Sequence, residues 1–142
     1  MSISKLNKDV FRKFITSLID SGMDVHGPVS RGSSYAFSRL GSADELKMDY
    51  DVTLLPPKKY FLPQVETLMT YKVGGEYESV QEGGEMVLVG VHPYDMVAIN
   101  QMDELFSQDQ YDSHYMDRRE KIAVIALDVV TPSENVFASS MN

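Results

Sequence analysis

Met86-Val87-Leu88-Val89-Gly90-Val91-His92-Pro93-Tyr94-Asp95 is the stretch that decides the fold. Its first six residues carry no charge and include three valines, which suits a strand buried on both faces. Pro93 closes that strand, because proline has no N–H to give to a sheet. From Tyr94 or Asp95 onward the apolar spacing changes to three and four, through Met96, Val97, Ile99, Met102, Leu105 and Phe106. That period predicts a helix. Asp112 to Glu120 reads as a second helical segment, with Tyr115 and Met116 inward and Arg118 and Arg119 outward. Ile122-Ala123-Val124-Ile125-Ala126-Leu127 is another uncharged run and predicts another buried strand. Strand, helix and strand in this order read as a parallel, right-handed βαβ unit.

Working outward, Lys5 to Ser21 predicts an amphipathic helix with Leu6, Val10, Phe11, Phe14, Ile15, Leu18 and Ile19 at helical spacing. Asn7 or Ser4 supplies its N-cap, and Gly22 stops it. Met23 to Val29 reads as short apolar pieces broken by a turn at Gly27-Pro28. Arg31 to Ser34 reads as a turn leading into a strand at Tyr35-Ala36-Phe37. Ser42 and Glu45 fit a capping box for a short helical turn. Tyr50 to Leu55 is extended and ends at Pro56-Pro57. Gln64 to Tyr71 suits either helix or strand, and Gly74-Gly75 with Gly83-Gly84 bracket a hairpin arm. The expected fold is a single α/β domain over residues 1–142, with a mixed sheet and the βαβ unit in its C-terminal half.

Composition narrows the function. With 142 residues, 43% hydrophobic and 24% charged, the chain can bury one modest core. The net charge of −8 and the scattered 13 basic residues argue against nucleic acid, since phosphate binding needs clustered Lys and Arg. No stretch approaches the roughly 20 apolar residues of a membrane span, and no apolar run follows the N-terminal basic residues. A cytoplasmic protein without membrane insertion is therefore expected. The cysteine count is zero, which removes disulfides, thiol nucleophiles, zinc ribbons and thiolate-held iron–sulfur clusters.

No Gly-x-Ser-x-Gly, Walker or Gly-x-Gly-x-x-Gly motif is present. Of the three histidines, His26, His92 and His114, none stands at metal-ligand spacing. His92 follows a buried strand, where α/β sheets collect their sites, although a turn needs no further reason to hold a histidine. Asp95 and Asp128 each lie past a buried strand and would share one sheet edge. There they would serve as a metal or acid–base pair, or simply as caps. Pro56-Pro57-Lys58-Lys59 is a rigid segment followed by two cations, suited to a partner, to an anionic cofactor or to a solvated rim.

Several stretches together resemble the hydrogenase (sulfhydrogenase) beta subunits and the anaerobic sulfite reductase subunits A, a family of 4Fe-4S proteins. Gly27-Pro28-Val29 precedes a short strand, and Asp49 to Gln64 resembles the family's T-x-x-P-P-K-K segment. Gly90-Val91-His92-Pro93-Tyr94-Asp95 resembles its G-V-R-P-C-D turn. Asp112-Ser113-His114-Tyr115-Met116-Asp117-Arg118-Arg119 resembles D-P-Y-Y-x-x-R-R, and Leu127 through Met141 resembles L-x-C … C-F-C-x-S-M. The resemblance covers residues 26 to 141, and it implies the N-terminal part of a dicluster electron-transfer subunit.

The departures matter as much. Tyr94, Val129, Val136 and Ala138 stand where the family pattern has cysteine, and His92 stands where it has arginine. Four lost thiolates leave no ligand set, so no cofactor is expected in this chain. The resemblance implies 4Fe-4S clusters in a C-terminal part beyond it, making the chain either a fragment or a cluster-free relative. It further implies an electron-transfer subunit of a hydrogenase- or sulfite-reductase-like complex, acting as a docking scaffold without activity of its own. Its expected partners are redox subunits, namely a ferredoxin-like module and a flavin-binding reductase subunit. Docking is expected at Pro56, Pro57, Lys58, Lys59, His92 and Asp95. The alternative is a stand-alone interaction or assembly protein that binds a small ligand or partner at the His92–Asp95 turn.

Overall fold

A computed structural model describes residues 5–109, 111–129 and 132. Helix α1 (Lys8–Asp20) precedes β1 (Asp24–Arg31) and β2 (Ser34–Arg39), and two 3-10 turns follow at Ala43–Glu45 and Pro57–Tyr60. Then come β3 (Met69–Tyr71), β4 (Tyr77–Ser79), β5 (Met86–Val91), α2 (Pro93–Ser107), α3 (Ser113–Glu120) and β6 (Ile122–Ala126). The main sheet has the order β2-β1-β5-β6, and β3 pairs with β4 alone. β1 is antiparallel to β2 but parallel to β5, which is parallel to β6. The mixed α/β sheet and its C-terminal βαβ half are thus present, with two helices in the crossover.

Side-chain alternation along β5 builds two cores. Val87 and Val89 join Ile15, Val25, Val29, Leu40 and Ala43 on the α1 side. Leu88 joins Phe37, Tyr50, Phe61, Ile99, Tyr115 and Ile122 on the other. Strict alternation would send Val91 to the α1 side, yet it packs with Leu88. Gly90 explains the exception. Pairing of β5 with β6 slips between Val89 and Val91, and Gly90 has φ +85°, a conformation that glycine tolerates and other residues resist. The bulge flips the phase of everything after it. A Cβ at Gly90 would also lie 3.1 Å from Pro28 Cδ.

Three expectations change. β1 runs unbroken through Gly27-Pro28 instead of turning there. Parallel pairing with β5 covers only Asp24 to His26, so the missing N–H of Pro28 falls beyond that ladder. The strand expected to be buried at Ile122–Leu127 is instead the edge strand β6 among the described residues, with Ala123 and Ala126 exposed; Gln64 to Tyr71, left open between helix and strand, is strand at Met69–Tyr71. Arg118, expected outward, is buried, with Nη1 2.6 Å from the Phe61 carbonyl and Nη2 paired with Glu66. Arg119 is not fully outward either, because its Nε donates to Asp103 at 2.9 Å. Asn7 is the N-cap of α1, its side chain accepting from the Asp9 N–H.

Candidate functional site at the strand-end turn

The bulge delivers His92 to the C-terminal end of β5. Its carbonyl starts α2 by accepting from the Met96 N–H at 3.0 Å, and Pro93 takes the first helical position, where no N–H is needed. The imidazole makes no cap bond. It turns inward and is 0% exposed.

Two tyrosines hold it. The Tyr50 ring stacks on the imidazole, and Tyr50 Oη donates to the Gly90 carbonyl at 2.6 Å. Tyr94 Oη lies 2.6 Å from His92 Nδ1 and donates its only proton to the Asp51 carbonyl at 2.8 Å. With that proton committed, the Tyr94 oxygen accepts, so His92 Nδ1 carries the hydrogen. Nε2 is then a bare lone pair, buried and without a hydrogen-bond partner among the described residues. Burial depresses the His92 pKa, while nearby Asp51 and Asp128 push weakly the other way. A neutral Nδ1–H imidazole follows.

Asp95 occupies the first turn of α2. Burial raises its pKa to about 6, opposed by the positive charge of Lys58. The Tyr94 hydroxyl is raised to about 12, first by burial and then by Asp95 and Asp51. Around the imidazole the arrangement is one of orientation and enclosure.

The residues expected to dock divide into two groups. Pro57 is fully buried, and Lys59 Nζ donates to the Phe37 carbonyl at 2.8 Å beneath the Tyr60 ring. Both support the core. Lys58 is exposed, and Pro56 and Asp95 are half-buried. Val52, Leu54 and Leu55 on the adjoining segment are exposed, Leu54 by 65%. Sequence reasoning missed Tyr50 and Asp51 as parts of the turn. Tyr50 lay inside the Asp49–Gln64 motif, whereas Asp51 acts through its backbone, which no side-chain pattern reveals.

The turn does not fit a thiolate-held cluster. Tyr94, at a family cysteine position, already closes the relay from His92 to Asp51, and Val129 is a half-buried apolar residue. Val136, Ala138 and the rest of the Leu127–Met141 match beyond residue 129 lie outside the described residues, except residue 132. Among the described residues, no group of three His, Asp or Glu side chains is placed to hold a metal. No helix among them is long and apolar enough to cross a membrane.

Fold and turn define a mixed α/β domain whose strand-end site is filled by its own side chains. Over 141 residues the chain is 33% identical to sulfhydrogenase 2 subunit beta of Pyrococcus furiosus. The chain is thus similar along nearly its whole length to a hydrogenase beta subunit, in agreement with the resemblance its motifs carry. The match covers 99% of this chain but 41% of that protein, so the chain spans about two-fifths of its curated relative. No family model matches the chain, and no solved structure matches it.

Proposed function

We propose that this chain is a docking scaffold in a cytoplasmic hydrogenase-like complex, holding redox subunits in register without a cluster of its own. The observation that carries this reading is the closed relay His92–Tyr94–Asp51 beside the exposed Val52, Leu54 and Leu55. A cluster position is replaced by packing, and an apolar surface with Lys58 at its margin stands next to it. The relative's name, a hydrogenase beta subunit, supports a place among other subunits. Ferredoxin-like and flavin-binding subunits are the partners this reading favours, with 4Fe-4S clusters held by polypeptide other than these residues.

Iron and acid-labile sulfide, measured on the oxygen-free complex and again on this chain after dissociation, test it. Iron stays with the other subunits on this reading. Iron that remains with this chain overturns it.

A small ligand at the same turn is the second reading, and the buried Nε2 of His92, which has no hydrogen-bond partner among the described residues, favours it. Separate His92→Gln and Asp95→Asn variants discriminate. Lost complex formation with an intact fold supports docking, and lost small-ligand affinity alone supports the second reading.

A further inference from the structure

The β3–β4 ribbon stands apart from both cores. Every residue of the two strands is exposed, although an isolated two-stranded hairpin is marginal in water. Its base is secured. His114 Nε2 lies 3.2 Å from the Leu68 carbonyl, Glu82 accepts from the Thr67 N–H, and Arg118 pairs with Glu66. The chain thus maintains a ribbon that buries little of its own.

Register makes the ribbon two-sided. Tyr71 pairs with Tyr77 and Met69 with Ser79, so these four share one face, while Thr70, Glu78, Lys72 and Glu76 fall on the other. The tyrosines are 72% and 76% exposed, and Val73 at the tip is 97% exposed. Solvated aromatic and aliphatic side chains gathered in this way mark interaction sites. Lys72 with Glu76 and Leu68 with Val80 are hydrogen-bonded pairs, so antiparallel alternation turns the N–H and C=O of Tyr77 outward, away from β3. No backbone partner meets them among the described residues.

Charge identifies the occupant. Glu76, Glu78 and Glu85 have no cation within ion-pair distance among the described residues, and the chain carries −8 overall. A second copy would bring carboxylates against carboxylates, which costs free energy. We propose that the outer edge of β4 receives a strand of a partner subunit in which apolar and basic residues alternate. Its apolar side chains extend the Tyr71–Tyr77 face, and its basic ones meet Glu76 and Glu78 on the reverse, with main-chain bonds along the edge. This inference rests on the reading of the chain as a subunit, but it concerns a surface away from the His92 turn.

The test uses the isotope-labelled full chain, titrated with a short peptide alternating leucine and lysine and with its leucine–glutamate counterpart. Amide shifts confined to residues 69–79 and a preference for the lysine peptide are expected. Glu76→Lys with Glu78→Lys weakens that binding about tenfold or more and favours the glutamate peptide. Tyr71→Ser with Tyr77→Ser also weakens it about tenfold, and retained core amide shifts show that either variant is folded. Equal binding of both peptides, shifts elsewhere, or insensitivity to the tyrosine pair overturns the proposal. Concentration-dependent self-association through the ribbon overturns it in favour of a second copy. None of these readouts depends on iron, so failure here leaves the cluster-free scaffold reading standing, and the converse holds.

Discussion

Tyr50 lies flat on His92, with ring centroids 4.0 Å apart and planes 5° from parallel. A neutral imidazole suits such a stack, and the hydroxyl of Tyr50 anchors the pair to the Gly90 carbonyl. Tyr50→Phe keeps the stack and removes one buried hydrogen bond, so a loss of about 1–3 kcal/mol is expected. Tyr50→Ala also empties a core position and costs about 3–5 kcal/mol. Urea unfolding of both variants checks the order.

Tyr94→Phe cuts the relay to Asp51 and leaves the Nδ1–H without the tyrosine oxygen. A loss of about 1–3 kcal/mol is expected. In the unmodified chain, nitrogen NMR should report Nδ1 protonated and Nε2 bare at pH 7.5. The opposite tautomer would contradict the hydrogen-bond assignment.

Acid sensitivity follows from His92. Its folded pKa lies below the unfolded value of 6.5, so between the two the unfolded chain binds more protons. Stability is therefore full above about pH 6.5 and falls as the pH drops below it. Asp95 has the opposite sign. Its pKa is raised from 3.8 to about 6, so stability present at low pH is lost as the pH rises through about 6. Asp95→Asn should raise the urea midpoint at pH 7.5 and leave it little changed near pH 3. His92→Gln should remove the acid-side decline while costing stability at neutral pH. The two pH profiles, compared with the parent, separate these effects.

Arg118 ties the ribbon's base to the core through the Phe61 carbonyl and Glu66. Arg118→Ala strands a buried carbonyl and a half-buried carboxylate, at about 3–5 kcal/mol. Arg118→Lys should recover only part of this, since one ammonium nitrogen replaces the two guanidinium nitrogens whose fork reaches both acceptors. Amide exchange in residues 62–82 should rise in both variants before it rises in β5.

Glycine 90 is expected to resist substitution. Gly90→Ala meets both a positive φ and the Pro28 ring, and a loss of about 2 kcal/mol or more is expected. A midpoint equal to the parent's would show that the bulge is dispensable.

The apolar run at Met86–Val91 was legible because β5 is central in the sheet and covered on two faces, leaving uninterrupted hydrophobicity in the sequence. The equally uncharged run at Ile122–Ala126 announced a strand but not its place, because β6 is the edge of the sheet among the described residues and exposes Ala123 and Ala126. β1 was not legible, because Gly27 and Pro28 mimic a turn unless one knows where the neighbouring ladder stops. Arg118 was misplaced for a related reason. Its acceptors stand 57 and 52 residues away, and an eight-residue helix offers too few positions to show which face is covered. At the site, the turn itself was legible from His92-Pro93, but its closure depends on Tyr50 and on a main-chain oxygen of Asp51. Spacing does not report such partners.

The slip at Gly90 has an arithmetical consequence. Because one uncounted residue sits between Val89 and Val91, the place enclosed beneath Tyr50 belongs to the sixth position after Met86, and to the fifth if that residue were deleted. Removing Gly90 itself would leave His92 in that place, whereas deleting an ordinary strand residue such as Leu88 with the bulge kept would hand the enclosed place to another side chain and carry the imidazole out of it, with every other amino acid unchanged. The identity of this site is therefore written in the length of a strand as much as in its letters.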